Sequence, residues 1–401
     1  MTTHGKNRPP GFQTRAIHHG YDPRKFLGAV APPIFMTSTY SFEGVEDAAA
    51  VMSHEREGYL YGRTANPTQA LLEARLANLE GAEACVVFAS GMAAVGSLML
   101  SLLSQDDEIV VHRTLYSNTY SLTRQALPRF GIKVVPVDLA DPGRLDAALT
   151  KKTKLIYFET PGNPTSEIID IAAIAARARN SGARIVVDST FASPYVQRPL
   201  EHGAHLVLHS LTKYINGHGD LLAGAVLGDA ATIDQIRSNG LNFITGATLS
   251  PMAAFLIMRG MKTLKLRMKH HAESAQAVAE MLAAHPAIAW VRYPYLAGSR
   301  GYDIARRQMS SGSGMMSFGL KTGYPGAVAM MDRLQLISRA VSLGDAESLI
   351  MHPASLIRAR QRFYPETRMA EGITEDLIRL SIGLEDTEDL LDDLAQALTG
   401  A

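Results

Sequence analysis

The sequence predicts an α/β fold with a mostly parallel central sheet and a smaller C-terminal α/β domain. Three observations carry the prediction. Six short runs rich in Val, Ile and Leu recur between residues 84 and 209. Helix-length segments separate several of them. The runs are also apolar nearly throughout, with little alternation of polar residues. A strand apolar on both sides must be covered on both sides, as strands are when crossover helices pack on each face of a parallel sheet.

Taken in order, residues 1–64 are rich in Gly, Pro, Tyr and Arg and poor in helical periodicity, ending in "GYLYGRTANPT". A segment so long and irregular is either disordered or docked on something, such as a neighbouring subunit, and its aromatic residues argue against plain disorder. "NPTQALLEARLANLEG" then predicts a helix, with Asn66 as N-cap and Pro67 at the first helical position. Strands are expected at "ACVVFA" (84–89), "EIVVH" (108–112), "KVVPVD" (133–138), "KLIYFE" (154–159), "RIVVD" (184–188) and "HLVLH" (205–209). From about residue 262 long helical stretches lead to "SGSGMMSFGLK", a Gly-rich strand, and to a helix near 386–398. The expected division is an arm (1–64), a large domain (65–261) and a small C-terminal domain (262–401). A chain of 401 residues exceeds what one simple core usually holds.

Composition narrows the function. Lys+Arg and Asp+Glu are both 39, so no net charge points to a nucleic acid or an acidic membrane. Cys85 is the single cysteine, which rules out an intrachain disulfide and any multi-cysteine metal site; no metal is expected. The first residues hold no apolar signal core and no stretch reaches the length of a membrane span. A cytoplasmic protein is expected.

Open α/β sheets bind ligands beyond the carboxyl ends of their strands. There the chain places Ser90-Gly91-Met92 at a helix start, suited to an anion. It also places Tyr116 in "RTLYSNT", Asn163 in "TPGNPTS", Asp188 at the end of its strand, and Ser210, Thr212 and Lys213 in "HSLTKYINGHGD". Singly, each has an ordinary structural explanation: a helix cap, a packed ring, a turn amide, a solvated lysine. Together on one rim they indicate a site. "SLTK" with the distant "KTG" also matches part of the pattern of penicillin-recognising serine enzymes. No S-D-N lies between them, however, and "SLTK" follows a parallel-strand run where that pattern needs a helix start.

Pyridoxal phosphate accounts for the set. It needs a lysine to link to, an acid beside its ring nitrogen, an anion cradle for its phosphate and an aromatic over its ring. Lys213, Asp188, Ser90-Gly91-Met92 and Tyr116 supply these in turn, and a lysine in this role needs a depressed pKa, from burial and a neighbouring cation.

The stretches "YGRTANPT", "ASGMAA", "TLYSNTY", "ETPGNPT", "VVDSTFASP", "HSLTKYINGHGD", "AVSLGDAESLIMHPAS" and "IRLSIGLED" run in order along almost the whole chain. In them the chain resembles the Cys/Met-metabolism (trans-sulfuration) family of pyridoxal-phosphate enzymes, of fold type I, aspartate aminotransferase-like. The resemblance implies that Lys213 holds the cofactor and moves protons. It implies that Gly91, Met92, Ser210 and Thr212 hold the phosphate, and that Tyr61 and Arg63 reach it from the adjacent subunit of a homotetramer built from tight dimers. Tyr116 would stack on the ring and serve the leaving group as acid or base. Arg379, with Ser342 and Asn163, would bind the substrate carboxylate, a task for which a guanidinium fork is suited.

Within the family, Val341 stands where cystathionine-cleaving members usually carry a glutamate, so the chain resembles the methionine γ-lyase branch. Two departures mark the substrate pocket. Asn118 stands where that branch has a cysteine after the stacking tyrosine, and Asn242-Phe243 in "LNFITG" replace a Lys-Asp pair. Ile357 departs from the branch as well. Amides suit a polar γ-substituent better than a thioether. The expected reaction is therefore γ-elimination on an L-amino acid. The alternatives are a canavanine γ-lyase (yielding homoserine and hydroxyguanidine) or another lyase for an oxygen-linked substituent, a cystathionine γ-lyase, and an O-acetylhomoserine sulfhydrylase.

Overall fold

The structure, a computed structural model, describes residues 8–53, 55–363 and 369–399. Its larger sheet has seven strands: β1 (Ala84–Phe88), β2 (Glu108–His112), β3 (Lys133–Val137), β4 (Thr153–Glu159), β5 (Arg184–Asp188), β6 (Leu206–His209) and β7 (Gly224–Gly228). Their spatial order is β1-β7-β6-β5-β4-β2-β3. The run from β3 to β6 is parallel throughout, while β7 is antiparallel to both β6 and β1.

The continuous apolar runs have the expected consequence. Ile109, Val111, Leu155, Tyr157 and Val186 face one core cluster. The alternating residues Val110, Ile156, Phe158, Ile185 and Val187 face another, on the opposite side of the sheet. Neither face of these three central strands meets water at these positions, so neither carries the polar alternation of a half-exposed strand, whereas β3 at the edge is partly exposed. The six expected strands are all present, within a residue or two of their expected limits.

Covering helices follow from capping chemistry as well as from apolar spacing. The helix Pro67–Glu80 starts where Asn66 accepts from the Thr68 N–H at 2.8 Å and stops at Gly81, whose φ of 81° suits a residue without Cβ. The helix Gly91–Leu102 starts at Ser90, whose hydroxyl accepts from the Ala93 N–H at 3.0 Å.

Five further strands make the second sheet: β8 (Ile288–Arg292), β9 (Met315–Leu320), β10 (Ser338–Arg339), β11 (Leu349–Met351) and β12 (Leu377–Ser381), in the order β10-β11-β12-β9-β8. The helix Leu264–Ala284 joins the two regions. Leu264 and Met268 lie in the core beneath the first sheet, whereas Val278 and Leu282 lie in the core of the second. The segment before residue 65 is less irregular than its composition suggests, with helices at Phe12–His18 and Val45–Met52. Residues 1–7 of the expected arm lie outside the described residues. Among the described residues no helix is long and apolar enough to cross a membrane.

Candidate active site

A cavity of about 870 Å³ opens where the carboxyl ends of β4, β5 and β6 meet the second sheet. Ser90, Gly91 and Met92 line one wall, Asp188 and Lys213 the floor, and Ser342 and Arg379 the side supplied by the second sheet region.

Lys213 stands in the turn after β6, its backbone N–H bonded to the Ser210 carbonyl at 3.2 Å. Its Nζ donates to Ser342 Oγ at 2.7 Å. Burial brings the ammonium down to about 8; Asp345 opposes that shift and Arg379 adds to it. The cation and burial demanded by the sequence are therefore both present. Ser342 has φ 92°, a backbone conformation costly for a residue with a side chain. In that conformation its carbonyl accepts from Arg379 Nη2 at 2.7 Å, while its hydroxyl serves Lys213.

Arg379 lies on β12 between apolar neighbours and is 6% exposed. Its Nη1 donates to Asn163 Oδ1 at 3.0 Å, and its Nε has no hydrogen-bond partner among the described residues. Burial brings this guanidinium down to about 10. A buried cation with an unused donor is costly unless an anion completes it, so the arrangement suits a carboxylate.

Two carboxyls lie side by side on the floor, since Glu159 and Asp188 are register partners across β4 and β5. Burial pushes both upward, Glu159 the further, because Asp188 lies beside it. Asp188 is held lower by Thr190, whose backbone N–H donates to it at 3.0 Å, and it accepts from the Tyr157 hydroxyl at 3.3 Å. Asp188 is thus the member of the pair ready to meet a cation. Glu159 accepts the Tyr116 N–H at 2.7 Å and the Asn163 N–H at 3.1 Å.

Tyr116 is 39% exposed at the open end. Its hydroxyl oxygen accepts from Asn118 Nδ2 at 3.0 Å, and Asn118 Oδ1 accepts from Arg360 Nη1 at 2.9 Å. Val341 and Ile357 line the same end.

The residues fit pyridoxal phosphate. The N–H groups of Gly91 and Met92 have no backbone partner among the described residues, leaving two donors at a helix N-terminus for a phosphate. Gly224 lets β7 pass beneath this cradle, for a Cβ there would lie 2.4 Å from the Ser90 carbonyl oxygen. The Thr212 hydroxyl is already paired with the Ala223 backbone at 3.2 and 2.9 Å, so Ser210 is the readier hydroxyl. The glycines of "HSLTKYINGHGD" serve neighbouring side chains: a Cβ at Gly217 would collide with Arg267, and one at Gly219 would crowd Asp345.

Some expected site residues are not brought to this cavity within the chain. Tyr61, Arg63, Asn118, Asn242 and Phe243 are not among its lining residues; Asn118 is bonded to Tyr116 and Arg360, which are, while Arg63 Nη1 donates to the Asn242 carbonyl at 2.9 Å and Phe243 is 78% exposed. Sequence reasoning also missed Glu159, Tyr157, Thr190, Asp345 and Arg360. For Glu159 a signal existed, a lone acid closing the apolar run "KLIYFE" at the sheet rim. Elsewhere, His112, Asp138 and Glu167 bring ligand atoms within 4.8 Å of one another. Arg113 already pairs with Asp138 at 3.2 Å and Glu167 at 3.0 Å, so the group is an ion-pair network.

Comparison with known proteins agrees with this geometry. The family described as "Cys/Met metabolism PLP-dependent enzyme" matches residues 13–399. The L-methionine gamma-lyase of Pseudomonas putida is 51% identical over 395 residues, covering 98% of this chain and 99% of that protein. That of Pseudomonas deceptionensis is 48% identical over 394 residues, 98% of each. Among solved structures, cystathionine gamma synthase from Xanthomonas oryzae pv. oryzae in complex with cystathionine superposes with a TM-score of 0.90 at 39% identity, covering 98% of both chains.

Proposed function

The chain belongs to the Cys/Met-metabolism family of pyridoxal-phosphate enzymes, and from that premise we propose that it cleaves the bond between Cγ and its substituent in an L-amino acid, as a methionine γ-lyase does, giving 2-oxobutanoate and ammonia. One observation carries the reading: a lysine at about 8, an incompletely partnered buried guanidinium and a half-exposed tyrosine share one cavity.

Gly91, Met92 and Ser210 would hold the cofactor's phosphate, with Ser90 and Thr212 fixing the surrounding backbone through their bonds to Ala93 and Ala223. Asp188 would face its ring nitrogen, Tyr116 its ring, and Lys213 would anchor it. When bound, the cofactor supplies an electron sink for charge developing on the substrate carbons.

The substrate carboxylate is held by Arg379, whose vacant Nε–H completes a bidentate grip, with Asn163 and Ser342 steadying the guanidinium. Lys213, once free, is poised as a base near neutral pH: it takes the Cα proton, gives that proton up again, and as a neutral amine then takes one from Cβ. Ser342 Oγ, within 2.7 Å of Nζ, keeps that amine pointed into the cavity. The Tyr116 hydroxyl delivers a proton to the departing γ-substituent.

The arm (1–64), with Tyr61 and Arg63 away from their own cavity, supports sites completed between subunits of a homotetramer; Asn242 and Phe243 would then line the neighbour's cavity. Each division of the chain, 65–261 and 262–401, would supply one wall of the site.

A second reading has its own support. The Asn118–Arg360 pair makes the substituent end polar, which favours an oxygen-linked group, as in canavanine or an O-acylhomoserine, over a thioether. Capture of a nucleophile at Cγ, the replacement outcome, would use the same residues. Assaying methionine, cystathionine, homocysteine, canavanine and O-acetylhomoserine, with 2-oxobutanoate and homoserine both quantified, separates these readings. Turnover of none of them by protein loaded with pyridoxal phosphate would overturn γ-elimination. Turnover of methionine above all others would overturn the oxygen-linked reading.

A further inference from the structure

The contacts at the open end of the cavity have a fixed polarity. Arg360 has only donors, so the atom of Asn118 that faces it at 2.9 Å must be the amide oxygen. That sets the amide's orientation without appeal to which end is nitrogen and which is oxygen, an assignment otherwise ambiguous. The NH₂ group is therefore the one that meets the Tyr116 hydroxyl at 3.0 Å, and the tyrosine oxygen is the acceptor in that contact. A phenol has one proton to give. Here Asn118 does not consume it.

We propose that Arg360 and Asn118 form a one-way relay that keeps the Tyr116 proton available to the substrate, making both of them positioning residues for departure of the γ-substituent. The inference rests on Tyr116 being the proton donor of the reaction proposed above. In that step the electron pair left at Cβ when its proton is removed forms the Cβ=Cγ double bond, and the bond from Cγ to the substituent breaks with its own pair going to the substituent, which takes the proton from the tyrosine O–H. The Asn118 N–H already lies on the oxygen that is left negative, so no reorganisation is needed to meet that charge. Donation by the guanidinium to the amide oxygen polarises the amide and strengthens its N–H as a donor.

The relay makes an unusual demand on substitution. In Asn118→Asp the carboxylate keeps the shape and pairs with Arg360, so a purely structural role would tolerate Asp better than Ala. A carboxylate can only accept, however, and it would draw the tyrosine proton onto itself and away from the substrate. Asn118→Asp should therefore lose more kcat than Asn118→Ala, by about tenfold, within the range that positioned proton donors contribute. KM and the visible absorbance of the cofactor should change little. The deficit should shrink to within roughly threefold of Asn118→Ala when the leaving group is acetate, which departs without needing a proton at neutral pH.

The experiment is steady-state kinetics on the holoenzymes of wild type, Tyr116→Phe, Asn118→Asp, Asn118→Ala, Arg360→Lys and Arg360→Met. Two substrates are compared, the best one from the panel and O-acetylhomoserine. If Asn118→Asp is as active as Asn118→Ala, or more so, the relay is wrong. If Asn118→Asp does not fold, the arginine pair decides. Lysine is also donor-only and should keep most of the rate, whereas methionine should lose it; equal rates would overturn the relay. Wild-type rates in Tyr116→Phe would instead overturn the role of the tyrosine itself, a result distinguishable from either.

Discussion

The two ends of the cavity are built differently. At the carboxylate end Arg379 is buried, and its two terminal nitrogens are committed to Asn163 and Ser342. Ser342 in turn is held in an uncommon backbone conformation. At the substituent end Tyr116 is 39% exposed, Val341 61%, and the tyrosine hydroxyl is held through Asn118 by a cation from the helix Pro353–Gln361. In the proposed function the first end would recognise what every α-amino acid has in common, and rigidity there would serve all substrates alike. The second would meet what differs between substrates, where a half-solvated wall can change with little cost to the core.

This contrast can be broken most forcefully at the rigid end. Arg379→Leu removes charge-assisted bonds worth about 3 kcal/mol, so kcat/KM should fall roughly a hundredfold for every substrate in the panel, with relative preferences unchanged. A change in preference would mean that Arg379 also touches the substituent.

A smaller effect lies in pH. In its proposed role Lys213 would capture the cofactor as the neutral amine, so uptake of pyridoxal phosphate by the apoenzyme should accelerate as pH rises through about 8, well below an ordinary lysine. Asp345 raises Lys213 and Arg379 lowers it. Asp345→Asn should therefore move the midpoint down, and Arg379→Leu should move it up. Rates of absorbance change against pH check both signs; shifts in the opposite sense would contradict the assignment of these neighbours.

The smallest effect is expected at the variable end. Ile357→Ala removes apolar wall worth about 1 kcal/mol, so kcat/KM should change by less than roughly tenfold, and unequally between thioether and oxygen-linked substrates. An equal change for both would show that Ile357 does not sense the substituent.

Much of this was legible in the sequence because of how strands between two helical layers must be written. The runs from "ACVVFA" to "HLVLH" are continuous in apolar character because both of their faces are covered, and that pattern places the rim residues without further information. β7 escaped because "AGAVLG" is short, bounded by glycines, and antiparallel at a place where its small residues serve close approach to Ser90. Glu159 and Asp345 escaped for another reason. Glu159 is held by backbone N–H groups, which no residue type announces, and Asp345 acts on Lys213 across a distance no local pattern encodes. Arg360 looks, in "LIRARQ", like one basic residue among several on a helix; only the folded chain brings it to Asn118. Tyr61, Arg63, Asn242 and Phe243 lie away from their own chain's cavity, and only the proposed assembly of subunits would give them one to line.

Glu159 has a consequence for the size of what can react. Its two oxygens hold the backbone of Tyr116 and the backbone of Asn163, the residue that steadies the carboxylate grip. A single carboxyl group thereby sets the spacing of Tyr116 and Asn163, and in the proposed function it would act as a calliper whose jaws are the carboxylate anchor and the leaving-group acid. An amino acid one methylene too short would be gripped as firmly as the right one and would present its substituent short of the tyrosine. Chain length would be measured in this way by a residue that never touches the chain being measured.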